Sequence, residues 1–135
     1  MTMLLDTNVL VYDTIENSPR HDTASAIIEK SEVPLLNSIS IIELGFVLPR
    51  YGIQNKSVKE KINELLQGEY FRVSWVSKKL LEETTEFIVE NDISFMDFND
   101  WIIAYDAYSR NIPLATFDKA LSGKCKKLGI KVIEG

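Results

Sequence analysis

Four acidic residues stand where an apolar run gives way to a polar one, and they are the residues with chemistry to offer. Asp6 follows Met3-Leu4-Leu5 and opens Asp6-Thr7-Asn8. Glu43 is the only charge in the stretch from Ser38 to Pro49. Asp100 closes Asp97-Phe98-Asn99-Asp100. Asp118 follows Leu114-Ala115-Thr116-Phe117. Carboxylates held close together repel one another, and a cation relieves the repulsion. His21 is the only histidine and Cys125 the only cysteine, so a multi-histidine centre, a cysteine metal site and an intrachain disulfide are excluded. A Ser-His-Asp hydrolase would have to use His21, which reads as a surface residue between Arg20 and Asp22. Any metal must therefore be held by oxygen, which selects Mg²⁺ or Mn²⁺.

Each acid also has a plainer reading. Asp6, Asp97 and Asp118 are good helix N-caps. Ser40-Ile41-Ile42-Glu43 fits a capping box, with Glu43 reaching back to the start of its own helix. Asp100 suits the positive end of a helix dipole. Asp106, in mid-helix, reads as exposed. Any one acid is comfortably a cap; four at equivalent places are not.

The elements that must position them follow from periodicity. Met3 to Leu5 reads as a strand buried on both faces, and further strands are expected at Val33–Leu36, Phe71–Val76, Pro113–Thr116 and Lys131–Ile133. Val9–Thr14 reads as a short helix or turn, and helical spacing predicts helices over Asp22–Lys30, Ser38–Tyr51, Lys56–Leu66, Ser77–Asn91, Asp97–Arg110 and Lys119–Leu128. The order β-α-α-β-α-α-β-α-α-β-α-β implies an α/β fold, a central and mostly parallel sheet with helices on both faces. In such folds ligands bind beyond the carboxyl ends of the strands, where Asp6 and Asp118 fall.

The totals agree. A chain of 135 residues, 45% hydrophobic and 26% charged, is one soluble domain over 1–135. No run spans a membrane, Asp6 comes too early for a signal peptide, and the lone cysteine fits a cytoplasmic setting. A net charge of -5 argues against coating nucleic acid through bulk charge. It leaves a nuclease open, since an acidic site lowers the total by itself. The one strongly basic segment, with Lys119, Lys124, Lys126, Lys127 and Lys131 and no acid among them, is the candidate phosphate contact.

Asp6-Thr7-Asn8, Glu43 in Ser-Ile-Ile-Glu-Leu, Asp100-Trp-Ile-Ile-Ala and Ala-Thr-Phe-Asp118 together resemble the motifs of the PIN domain family, in order and approximate spacing. The resemblance covers essentially the whole chain and is greatest to the small VapC-type toxins of toxin-antitoxin pairs. It implies a metal-dependent endoribonuclease whose acidic ligands are Asp6, Glu43, Asp100 and Asp118. It gives supporting roles to Asn8, Thr116 and Asp97, and leaves 3′-hydroxyl and 5′-phosphate ends. It further implies an RNA substrate, a cognate antitoxin docked on the apolar helix Ile39–Leu48 and Tyr51, and a homodimer. Trp101 departs from the pattern, which places a small residue after the Asp, and is expected to alter the groove beside the site. The alternatives are a housekeeping PIN RNA-processing nuclease, or a non-catalytic PIN-like binding module whose carboxylates are caps or hold a structural ion. A phosphoryl-transfer enzyme with Asp6 as nucleophile lacks the usual second Asp beside it.

Overall fold

The computed structural model describes residues 1–135. Five strands, β1 (Thr2–Leu5), β2 (Val33–Asn37), β3 (Arg72–Ser74), β4 (Leu114–Thr116) and β5 (Val132–Glu134), form one sheet in the order β3-β2-β1-β4-β5. Every pairing is parallel. The helices are α1 (Thr7–Thr14), α2 (His21–Lys30), α3 (Ser38–Val47), α4 (Asn55–Gln67), α5 (Lys78–Glu90), α6 (Phe98–Arg110) and α7 (Lys119–Lys127). Short 3-10 turns at Leu48–Tyr51 and Phe95–Asp97 extend α3 and lead into α6. None of the helices is long and apolar enough to cross a membrane.

Successive side chains of a strand point to opposite faces, and the two cores divide accordingly. Met3, Leu5, Leu36 and Ala115 pack on one face with residues of α1 to α4. Leu4, Leu35 and Leu114 pack on the other with Trp101, Ala104 and Ala107 of α6 and with Leu121 and Cys125 of α7. Central β1 is buried on both sides, which is why it reads as an unbroken apolar run.

The chain runs outward from β1 through β2 to β3, crosses back, and continues outward on the other side through β4 to β5. The direction therefore reverses between β1 and β4, and a crevice opens beyond the carboxyl ends of those two strands. Asp6 follows one of them directly and Asp118 stands two residues beyond the other.

The structure departs from expectation where the sheet runs out. The strand expected over Phe71–Val76 is confined to Arg72–Ser74, because its only neighbour turns into α3 after Asn37, the residue paired with Ser74. Trp75, beyond that last pair, is 62% exposed. The helix expected through Tyr51 tightens at Leu48-Pro49 and is ended by Gly52 at φ 82, a left-handed conformation that glycine adopts without strain. Trp101 turns away from the expected groove: it is 1% exposed and packed in the second core.

Asp106, expected to be exposed, is buried. It is 3% exposed and partnered at both carboxylate oxygens. Its Oδ2 accepts from Asn37 Nδ2 at 2.9 Å and its Oδ1 from Arg110 Nε at 2.9 Å. Arg110 Nη2 also donates to Ser74 Oγ at 2.8 Å. This network ties the ends of β2 and β3 to α6.

Candidate active site

The crevice holds all four acids. Asp6, Glu43, Asp100 and Asp118 line one open cleft of about 250 Å³, together with Thr7, Asn8, Tyr12, Val47 and Tyr51. No lysine, arginine or histidine lines it, so the protein itself does not neutralise the acids.

Asp6 is the buried centre, 5% exposed. Its Oδ1 accepts from the backbone N–H of Thr7 at 2.7 Å, capping α1. Its Oδ2 accepts from Thr116 Oγ1 at 2.8 Å and Asn8 Nδ2 at 3.3 Å. Thr116 Oγ1 in turn accepts from the backbone N–H of Asp118 at 3.0 Å, and Asn8 Oδ1 from that of Phe117 at 3.1 Å. Asn8 and Thr116 thus lock the turn after β4 against the turn after β1. Asp118 Oδ1 accepts from Leu121 N at 3.0 Å and caps α7. Asp6 and Asp118 are caps and members of the cleft at once, so the two readings of the sequence coexist in them.

Glu43 takes no part in a capping box. Helix α3 starts at Ser38 under an Asn37 cap, whose Oδ1 accepts from Ile39 N at 2.9 Å. Glu43 therefore lies in mid-helix and is oriented from another element: Thr7 Oγ1 stands 2.6 Å from its Oε1 and 2.9 Å from Ser40 Oγ. A hydroxyl has one proton; given to the carboxylate, it leaves Thr7 accepting from Ser40. The sequence places Ser40 in a capping box and gives Thr7 no separate role; the structure makes both of them the support of Glu43. Their signals are that Thr7 lies inside Asp6-Thr7-Asn8 and that Ser40 stands one turn before Glu43.

Asp100 is half-buried and makes no side-chain hydrogen bond. Burial, and then the charges of Asp6, Glu43 and Asp118, raise its pKa to about 6. Burial likewise raises Asp6 to about 6, against the lowering effect of its hydrogen bonds to Thr116 and Thr7. As they stand, no three of these groups surround one point at ligating distance. Asp6, Asp118 and Glu43 are held by hydrogen bonds, whereas no hydrogen bond fixes the Asp100 side chain.

A carboxyl whose folded pKa is raised binds protons more tightly in the folded than in the unfolded state. Stability then falls as pH rises from about 4 to 6, and the deficit is complete above the folded pKa. In chelator, wild type and Asp100→Asn should melt together near pH 4. By pH 7 the variant should melt about 3–5 °C higher, for a repulsion on the order of 1 kcal/mol after screening of this half-exposed group. A gap that is constant with pH, measured by thermal scans in chelator, would remove the repulsion.

The remaining expected residues lie elsewhere. Asp97 makes no capping bond; it is exposed and pairs with Lys124 at 3.7 Å, outside the cleft. Lys119, Lys124, Lys126 and Lys127 do not line the cleft. Lys124 and Lys127 line a separate pocket beside Trp101, and Lys126 is paired with Glu134. His21 is half-buried, with Nδ1 3.0 Å from the Tyr12 carbonyl oxygen. Buried Cys125 is a thiol pushed up to about 12, first by burial and then by the nearby acids.

Solved structures of low sequence identity share this architecture. The sarcin-ricin loop cleaving toxin VapC20 of Mycobacterium tuberculosis superposes with a TM-score of 0.77 at 19% identity, over 91% of this chain and 95% of that one. FitAcB from Neisseria gonorrhoeae gives 0.66 at 20% identity, over 98% and 97%. VapBC2 from Rickettsia felis, bound to a DNA fragment from its promoter, gives 0.65 at 17% identity, over 99% and 98%. No curated protein sequence matches the chain. The PIN domain family model matches residues 3–127, a span that includes β1 with Asp6, the helices bearing Glu43 and Asp100, and Asp118 at the head of α7. The chain belongs to the PIN domain family.

Proposed function

We propose that this protein is a Mg²⁺- or Mn²⁺-dependent endoribonuclease and the toxin of a VapBC-type toxin-antitoxin pair. The observation that carries the reading is the convergence of four carboxylates, from four distant parts of the chain, in one cleft without a protein cation. An all-oxygen donor set of this charge fits a hard divalent ion. When bound, such an ion supplies Lewis acidity at a phosphate and lowers the pKa of its water. Asp6 and Asp118, fixed by their caps and by Thr116 and Asn8, would hold it. Glu43, aimed by Thr7, and the unpartnered Asp100 would complete its shell directly or through water. A structural ion in a non-catalytic module would need no such open cleft.

The toxin assignment draws on the neighbours: one is a loop-cleaving toxin, and others are complexes named VapBC or FitAB. It also draws on the surface of α3, where Ile42 and Phe46, one turn apart, are 63% and 50% exposed. Two such side chains on one face suit a partner's apolar segment. Tyr51 does not join them, because it stands with Val47 in the wall of the cleft.

The direct test incubates purified protein with a random-sequence RNA pool in Mn²⁺, in Mg²⁺ and in chelator, beside a calorimetric Mn²⁺ titration. Cleavage with either ion and none in chelator is expected. The absence of both cleavage and Mn²⁺ binding would overturn the nuclease in favour of the non-catalytic module.

A further inference from the structure

The acid cleft has a neighbour that the motifs do not mention. A second pocket of about 560 Å³ opens beside it, and Tyr12 and Tyr51 line both. The two tyrosines are thus a shared wall. The rest of the second pocket comes from the loop between α1 and α2, including Asn17, Ser18 and Arg20.

The chemistry of this pocket is that of a nucleotide site. Tyr51 is 51% exposed, and its ring pairs with no other aromatic ring. Arg20 is exposed and has no carboxylate partner. Its guanidinium lies 5.3 Å from the centroid of the Tyr12 ring and 5.6 Å from that of Phe117, and Nη1 donates to Tyr12 Oη at 3.1 Å. Tyr12 and Phe117 themselves meet edge to face at 5.1 Å. Arg20 is therefore a cation held in place beside an acid-lined cleft that contains none. Asn17, exposed and without a side-chain hydrogen bond, offers both a donor and an acceptor.

We infer that this pocket binds the nucleotide next to the scissile phosphate of a single-stranded RNA, its base stacked on Tyr51 and its outer phosphate on Arg20. This rests on the ribonuclease reading and deepens it. A nucleotide is favoured over a peptide because the pocket joins a free aromatic face to a fixed cation, continuous with the cleft where a phosphodiester would react. Bases stack on aromatic rings without regard to sequence, while duplex RNA withholds their faces. The site also replaces the lysine run as the main RNA contact, since those lysines lie off the cleft and two of them are already paired.

The test measures anisotropy of a labelled random-sequence 12-mer RNA in chelator, with Asp6→Asn as the parent protein so that nothing is cut. Tyr51→Ala should weaken single-strand binding by about ten-fold, and Tyr51→Phe should restore it. Arg20→Ala should reduce the slope of log K against log salt by about 0.7, the share of one phosphate. Charge reversal at Lys126 and Lys127 should leave both quantities near the parent's. If the parent binds RNA and Tyr51→Ala and Arg20→Ala bind it equally well, the pocket is not the subsite, though the ribonuclease reading stands. A variant whose far-ultraviolet spectrum matches the parent's and whose loss Tyr51→Phe does not rescue also overturns the stacking role. If the parent binds no RNA, the subsite falls, and the ribonuclease reading is decided separately by cleavage in Mn²⁺ or Mg²⁺. Equal binding of a 12-base-pair duplex would likewise overturn the single-strand assignment.

Discussion

Substituting Asp6→Asn is expected to lower RNA cleavage by roughly 10²–10³-fold, the scale on which removing one preorganised electrostatic group acts, without loss of fold. The local bonding shows why the two effects separate. Asn keeps an oxygen for the backbone N–H of Thr7, so the cap of α1 survives. Its new amide faces Thr116 Oγ1, a hydroxyl that can turn from donor to acceptor, and gives up only the longer 3.3 Å hydrogen bond from Asn8 Nδ2. What is lost is the charge at the most buried point of the cleft. Because burial and the neighbouring acids disfavour that charge, the variant in chelator should melt at or slightly above the wild-type temperature at pH 7. The rise in melting temperature that Mn²⁺ gives the wild type should vanish with it. Wild-type cleavage by a folded Asp6→Asn protein would remove Asp6 from the site. A variant that fails to fold is distinguished by its lost melting transition, and Asp100→Asn, which breaks no hydrogen bond, then carries the test.

How far the sequence reveals this arrangement depends on whether the information is local. Five strands and seven helices are legible because β1 is buried on both faces and the helices keep a 3.6-residue stripe. Asp6 and Asp118 are legible because a strand end followed by an acid is a local event. Glu43 is legible as the one charge in an apolar stretch, but its partner is Thr7, thirty-six positions away; the capping box is the only partner that local spacing offers. The lysine run is local in the same way. Adjacency to Asp118 in sequence says nothing of which way α7 turns its faces, and none of its lysines lines the cleft. The pocket walled by Tyr12 and Tyr51 joins α1 to the turn after α3, and no motif spans those segments. Asp106 looked exposed because a mid-helix acid usually is. Asn37, which buries it, comes from a strand sixty-nine positions earlier.

Asp106 carries the largest expected effect on stability. Asp106→Ala should cost about 3 kcal/mol, the lower end for breaking a buried charged pair by removing one partner. The lower end applies because Arg110 is 46% exposed and can rehydrate, whereas Asn37 is 0% exposed and cannot. For a chain of this size that is a fall of roughly 10 °C in melting temperature. Asp106→Asn should lose less, since it keeps an acceptor for one partner while setting an amide against the other. The effect should reach the cleft. Asn37 caps α3, which carries Glu43, and Asp106 sits on α6, which carries Asp100. Their bond therefore fixes the two acid-bearing helices to one another across the end of β2. Cleavage per folded molecule should fall in Asp106→Ala and recover in part in Asp106→Asn. Urea unfolding of both variants, with the exposed Glu90→Ala as baseline, measures the cost. A urea midpoint for Asp106→Ala that matches that baseline would mean that the network does not hold α3 and α6 together.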